Sequence, residues 1–159
     1  MNFRYVTASD YIPVISVIDD WWGGRHIADM LPKLFFQHFQ DTSFIAEQDG
    51  KIVGFLIGFV SQTYPTESYM YIHFIGVHPD HRKDGIAKNL YQMFFDKVKE
   101  MGCEIVRCVT SPVNKTSIAF HTRMGFHIDK GTSEVDGVPV TVNYDGQGQD
   151  RVLFIKELQ

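Results

Sequence analysis

Apolar positions along the chain change period several times, and each change marks an element. Residues 2–7 alternate as a first strand, and Ser9-Asp10 supplies an N-cap ahead of a stripe at helical spacing: Tyr11, Val14, Ile15, Ile18 and Trp22. Pro13 fits only the first turn of that helix. A second stripe, Ile27, Met30, Leu31, Leu34, Phe35 and Phe39, is interrupted by Pro32, where a break is expected. Between the two lies a loop, Trp21-Trp22-Gly23-Gly24-Arg25. Three strand-like runs come next, Ser43 to Glu47, Ile52 to Ser61 after an Asp49-Gly50 hairpin signal, and Ser68 to Val77, which together read as an antiparallel meander. The period turns helical again from Gly85 to Met101, with Ile86, Leu90, Met93, Phe94 and Val98 on one face. Glu104 to Thr110 reads as a strand, Lys115 to Met124 as a short helix, and Phe126 to Lys130 and Arg151 to Lys156 as the last strands. Residues 131–150, rich in Gly and Asp, form a loop or hairpin.

The order is β-α-α-β-β-β-α-β-α-β-β, an α+β fold with a mixed, mostly antiparallel sheet flanked by helices. The strand ending at Val77, the helix from Gly85 and the strand from Glu104 make a βαβ crossover. A length of 159 residues suits one domain spanning 1–159. A net charge of −4 argues against broad nucleic-acid binding and suits a cationic substrate. No run approaches the roughly 18 apolar residues of a membrane helix, and the start lacks a charged segment followed by an apolar one, so a cytoplasmic protein without membrane partners is expected. Cys103 and Cys108 fall on opposite faces of a strand and read as packing residues rather than a bridge.

The most informative stretch is the junction from Gly76-Val77-His78-Pro79 through Arg82-Lys83-Asp84-Gly85-Ile86-Ala87-Lys88. A strand end, a basic turn containing glycine and a helix N-terminus present unsatisfied backbone N–H groups and the positive end of the helix dipole to an anion. Gly85 lets the backbone approach a ligand closely, Ala87 keeps the next turn small, and Arg82, Lys83 and Lys88 can neutralise charge. His73, His78 and His81 match no common metal-ligand spacing, and no metal is expected. P-loop and dinucleotide fingerprints are missing.

Here the chain resembles the GNAT acetyltransferase superfamily. Its acetyl-CoA signature runs Arg or Gln, two residues, Gly, one residue, then Gly or Ala, and Arg82-Lys83-Asp84-Gly85-Ile86-Ala87 fits it, with Asn114 and Met124-Gly125-Phe126 following at the family's spacing. The resemblance implies acetyl transfer from acetyl-CoA to an amine. Backbone around Ile75, Gly76 and Val77 would pair with the pantetheine arm, Arg82 to Lys88 would cradle the pyrophosphate, and Asn114 would bond the cofactor's amide region unless it serves as a helix N-cap.

The family's usual tyrosine acid lies seven residues after that asparagine, where this chain has His121, so an imidazolium is one source of the thiolate's proton. Tyr144, in the 131–150 segment, is another. His73 shares its strand face with Tyr71, Ile75 and Val77, on a strand that lines the site in this family, and is the base that would take the amine's proton. Trp21, Trp22 and Arg25, with Tyr71 and Tyr144, are candidate substrate contacts, although both tryptophans could simply cap the core. The acceptor is expected to be a small-molecule primary amine, with a peptide or protein amine, or a non-catalytic acetyl-CoA-binding module, as alternatives. The last strand reads as an exposed edge able to pair across a homodimer.

Overall fold

The computed structural model describes residues 1–63 and 68–158. The chain forms two compact units, one of Met1–Val60 with Ile72–Met101, the other of Ser61–Tyr71 with Gly102–Gln159.

The first unit holds strands β1 (Asn2–Tyr5), β2 (Phe44–Gln48), β3 (Lys51–Val60) and the greater part of β4 (Tyr69–Val77). Its helices are α1 (Tyr11–Ile15), α2 (Ile18–Trp21), α3 (Leu34–His38) and α4 (Ile86–Glu100). β1 pairs antiparallel with β2, β2 with β3, and β4 follows β3 in the sheet. The Asp49-Gly50 turn has positive φ at both residues, 53° and 75°, the backbone a tight two-residue hairpin requires. Helix α4 buries Ile86, Leu90, Tyr91, Phe94, Phe95 and Val98 and packs on β2 and β3.

One helix was expected over the first stripe, and two short ones are found. Ser16 is the reason: its Oγ donates to the Pro13 carbonyl at 2.9 Å, and Val17 N turns to the Val14 carbonyl at 3.1 Å, an i−3 bond that tightens and ends the turn. The break rotates Trp21, at 5% exposure, into the core with Val14, Ile18, Leu31, Phe36, Ile45 and Phe55, and leaves Trp22 half-buried beside it. Pro32 breaks the second stripe as expected, separating a 3-10 turn at Ala28–Met30 from α3.

The second unit starts with the first residues of β4, which pair in parallel with β5 (Ile105–Thr110) through Tyr69↔Ile105, Met70↔Val106 and Tyr71↔Arg107. Parallel pairing here is what the βαβ crossover requires. β5 continues to β9 (Val152–Glu157) and β9 to β6 (His127–Ile128), both antiparallel. Helix α5 (Lys115–Arg123) precedes β6. With strands of both directions and helices alongside, the architecture is α+β, mixed and mostly antiparallel.

One expectation changes in this unit. The last strand is not an edge: β9 is paired with β5 on one side and with β6 on the other, so the edge-pairing argument for a homodimer falls. Residues 131–150, expected as a loop or hairpin, contain a hairpin. β7 (Ser133–Val135) and β8 (Val138–Val140) form a hairpin, and the stretch after it is closed by reciprocal hydrogen bonds between Thr141 and Arg151.

Among the described residues no helix is long and apolar enough to cross a membrane, and no group of three or more His, Cys, Asp or Glu side chains could hold a metal ion. Both cysteines are free and buried, and burial pushes the Cys108 thiol far above its ordinary value.

Candidate functional site

The anion-binding geometry expected from the sequence lies within the first unit. β4 ends at Val77, and His78 N donates to the Val53 carbonyl at 2.8 Å, fixing the strand's exit. The chain then makes a 3-10 turn over Pro79–His81, pinned by Asp80 N donating to His78 Nδ1 at 3.0 Å. Gly85 takes up φ 74°, ψ 15°, a left-handed conformation that reverses the chain into α4, and its carbonyl accepts the first helical bond from Asn89 N at 3.1 Å. The N–H groups of Ile86, Ala87 and Lys88 precede that first bond and have no acceptor within the helix. Space around Gly85 is open, with no atom within 4 Å of where a Cβ would stand. Lys83 and Lys88 are exposed on this turn.

Arg82 does something the sequence did not suggest. Its Nε donates to the Val77 carbonyl at 3.4 Å and its Nη2 to the Trp21 carbonyl, so the side chain ties the turn to the end of α2. Asp84 receives His81 Nδ1 at 2.9 Å. Lys83 and Lys88 are the other cations of this turn, and both are exposed.

Along β4 burial alternates, with Met70, Ile72 and Gly76 buried and Tyr69, Tyr71, Ile75 and Val77 half-buried on the other face. Gly76 is held tightly: a Cβ there would stand 2.7 Å from Phe55 and 2.8 Å from Trp22. His73 lies flat on Phe35, with centroids 4.2 Å apart and planes at 6°. Its Nε2 is 2.7 Å from the Met30 carbonyl, which can only accept, so Nε2 carries the proton and Nδ1 is the basic nitrogen.

The candidate substrate loop of this unit is mostly committed to packing. Trp21 stacks on Phe55 and meets His78 edge-on, while Trp22 meets Phe55 and Phe74. Asp19 caps the backbone N–H groups of Ile27 and Ala28 at 2.9 Å each. Arg25 is exposed.

In the second unit, Asn114 Oδ1 accepts from Ser117 N at 3.1 Å, the N-cap geometry of α5. His121 is buried at 5% exposure in an aromatic box of Phe120, Phe126 and Phe154. Its Nδ1–H donates to the Ser117 carbonyl at 2.8 Å. Burial holds the imidazole below the usual histidine range, outweighing that hydrogen bond. The ring is thus neutral at neutral pH, and the imidazolium acid expected from the sequence is not the species this environment favours.

Tyr71 and Tyr144 come together. Both line one cavity, and burial keeps both phenols protonated by pushing them above the ordinary tyrosine value. Tyr144 is presented by a loop that bonds to itself: Asn143 Oδ1 accepts from Gly148 N at 2.8 Å, Asn143 N donates to Asp150 at 2.9 Å, and Arg151 Nε pairs with Asp145 at 2.7 Å. Both tyrosines line a cavity of about 220 Å³ within this unit, together with Thr63, Tyr69, Arg107 and Leu153. Arg107, Tyr69 and Thr63 did not stand out in the sequence. A signal for Arg107 was there: a cation between Val106 and Cys108 in an apolar strand.

A relative, the L-2,4-diaminobutyric acid acetyltransferase of Nocardia farcinica (strain IFM 10152), is 33% identical over 86 residues, covering 54% of this chain and 44% of that protein. The matched stretch thus spans less than half the length of this curated relative. Solved structures share the fold. The diaminobutyrate acetyltransferase EctA from Paenibacillus lautus, in complex with L-2,4-diaminobutyric acid and coenzyme A, superimposes with a TM-score of 0.66 at 24% identity, over 97% of this chain and 92% of that one. The ribosomal-protein-alanine N-acetyltransferase from Brucella melitensis gives 0.71 at 16% identity, over 99% and 100%. The model of the acetyltransferase (GNAT) family matches residues 14–126, well over half of the sequence and inclusive of the turn into α4. The chain belongs to the acetyltransferase (GNAT) family.

Proposed function

We propose that the protein is an N-acetyltransferase that moves an acetyl group directly from acetyl-CoA to the primary amine of a small molecule. The observation that carries this reading is the turn from Val77 to Lys88, where a left-handed Gly85 opens a 15-residue helix beside two exposed lysines, in a chain of this family.

These residues fit a pyrophosphate. The first-turn N–H groups of α4 and the helix dipole favour an anion, the open space at Gly85 admits it, and Lys83 and Lys88 add charge. Backbone at Ile75, Gly76 and Val77 would pair with the pantetheine arm. Arg82 would hold the turn in shape rather than grip phosphate. With Oδ1 engaged as a cap, Asn114 would reach the cofactor's amide region through Nδ2. The bound thioester supplies the acetyl group and the leaving sulfur.

An alkyl ammonium of pKa about 10.4 must lose a proton before it can attack. His73 is assigned as the base, with its Nε2–H anchored on the Met30 carbonyl and its ring held flat on Phe35. The proton for the departing sulfur is assigned to Tyr144, whose phenol keeps its proton throughout the neutral range. His121 keeps α5 packed.

A small acceptor is favoured by the cavity under Tyr144, whose 220 Å³ is below the roughly 300–1,000 Å³ of drug-sized pockets, and by the diaminobutyrate enzymes among the similar proteins. The test is the initial rate of CoA release from acetyl-CoA with polyamines, amino acids, aminoglycosides and short peptides. A rate with a small amine supports the reading, and a rate confined to peptides replaces it with a peptide transferase.

A further inference from the structure

The segment that carries Tyr144 is held from its own far end. The chain leaves β8 at Thr141 and enters β9 after Arg151, and these two residues exchange backbone hydrogen bonds, Thr141 N donating to the Arg151 carbonyl at 2.8 Å and Arg151 N to the Thr141 carbonyl at 3.1 Å. Beyond Arg151, Val152 pairs with Thr110 and Leu153 with Val109, so the base of the Arg151 side chain is fixed to a paired strand. The guanidinium then reaches back across the loop it closes. Nε donates to Asp145 Oδ2 at 2.7 Å, Nη1 to the Asp150 carbonyl at 2.9 Å and Nη2 to Gln149 Oε1 at 3.2 Å. Each nitrogen holds a different residue, which suits the planar fork of an arginine and not the point charge of a lysine. The Arg151 side chain is 13% exposed, so these charge-assisted bonds are better shielded from solvent than those of a surface ion pair.

The other bonds of the loop join its residues to one another. Asn143, at φ 57°, accepts from Gly148 N at 2.8 Å and donates through its own N to Asp150 at 2.9 Å. Gly146 and Gly148 both have positive φ, and a segment with two such glycines has many conformations open to it unless something fixes it. Arg151 supplies that tie to β9. Tyr144 stands between Asn143 and Asp145, both held in this way, and its side chain lines the cavity beside Tyr71 and Leu153.

We infer that Arg151 is a positioning residue for the transferase reaction: its guanidinium holds residues 143–150 in the arrangement that keeps the Tyr144 phenol at the cavity, where it passes its proton to the departing sulfur. In that step the phenol O–H bond breaks as the S–H bond of CoA forms, and water returns a proton to the phenolate. The inference rests on the reading of Tyr144 as the acid, whereas the anchoring is a property of the folded chain and can be measured without turnover.

The experiment pairs hydrogen–deuterium exchange with steady-state kinetics, using acetyl-CoA with putrescine, L-ornithine or glycylglycine. It compares wild type, Arg151→Gln, Arg151→Lys, Tyr144→Phe and the double variant Arg151→Gln/Tyr144→Phe. Arg151→Gln should speed exchange across residues 143–150 by at least about tenfold and leave α4 unchanged. It should lower kcat by about tenfold, with the KM for acetyl-CoA within about twofold of wild type. Tyr144→Phe should cost about a hundredfold in kcat, and the double variant should be no slower than Tyr144→Phe, because an acid that is missing cannot also be misplaced. Arg151→Lys, which keeps the charge beside Asp145 without the fork, should fall between wild type and Arg151→Gln. If Arg151→Gln does not fold, Asp145→Asn, which weakens the same contact from the loop side, takes its place. Losses that multiply in the double variant, a raised KM for acetyl-CoA with kcat intact, or unchanged exchange in the loop would overturn the inference. Failure of the acid reading looks different: Tyr144→Phe with wild-type kcat, or no CoA release with any of the three amines, sinks that reading and the catalytic half of this inference with it, while faster exchange in Arg151→Gln still upholds the anchor.

Discussion

The imidazole of His121 lies almost parallel to the ring of Phe154, with centroids 4.6 Å apart and planes at 16°. Packed this way, the ring stacks as a neutral aromatic, and protonating it would charge the core of the second unit. Burial lowers its pKa in the folded state, so below about pH 6.5 the unfolded chain binds the proton that the folded chain resists. Stability is fully present above that pH and is lost progressively as pH falls toward the folded-state value. Urea unfolding at pH 7.5 and pH 5 should show the loss, and His121→Phe should flatten that part of the pH dependence. The same variant should keep kcat within about tenfold, whereas a general acid would cost at least about a hundredfold.

Asp10 makes the opposite case. It is buried, which alone would raise its pKa, yet two hydrogen bonds from Arg4 at 2.9 Å each and one from Thr7 N at 2.8 Å hold the carboxylate below its ordinary value. Its contribution is present above about pH 3.9 and is lost as pH falls through the folded pKa. Asp10→Asn leaves Arg4 beside Glu47 alone and should cost about 2–4 kcal/mol at pH 7 by urea denaturation.

Gly76→Ala tests how closely β4 is packed. The new Cβ would press on Phe55 and Trp22, so a loss of about 1–3 kcal/mol is expected from overpacking, read as a lower unfolding midpoint. Because Trp22 must move, its fluorescence should shift in the folded variant.

Lys83→Ala and Lys88→Ala should each weaken acetyl-CoA binding by about three- to tenfold, in proportion to one screened charge each, with little change in kcat. Raising the salt concentration should shrink the difference from wild type. Identical affinity in both variants at low salt would remove the lysines from the cofactor's phosphate site.

Much of the fold was legible because period and turn chemistry agreed. The stripe from Ile86 to Val98 fixed α4, and Asp49-Gly50 fixed a hairpin with both residues at positive φ. The turn into α4 was legible too, since Gly85 and its basic neighbours are contiguous in the chain. What could not be read was anything assembled from distant segments. Arg82 reaches the carbonyls of Val77 and Trp21, and the second of these contacts joins segments far apart in the chain. Arg107 joins Tyr69, Tyr71 and Tyr144 only through strand register and a self-bonded loop, neither of which spacing encodes. His121 misled for a related reason: residue type suggested an acid, while its protonation state is set by Phe126 and Phe154.

Acetyl transfer to a small amine is the step on which the rest depends, and mass analysis of an amino-acid and polyamine panel after incubation with acetyl-CoA and the protein measures it directly. An acetylated product is expected, formed in step with CoA release and formed more slowly by His73→Ala. Protein that binds acetyl-CoA and yields no acetylated amine from the panel would contradict that expectation.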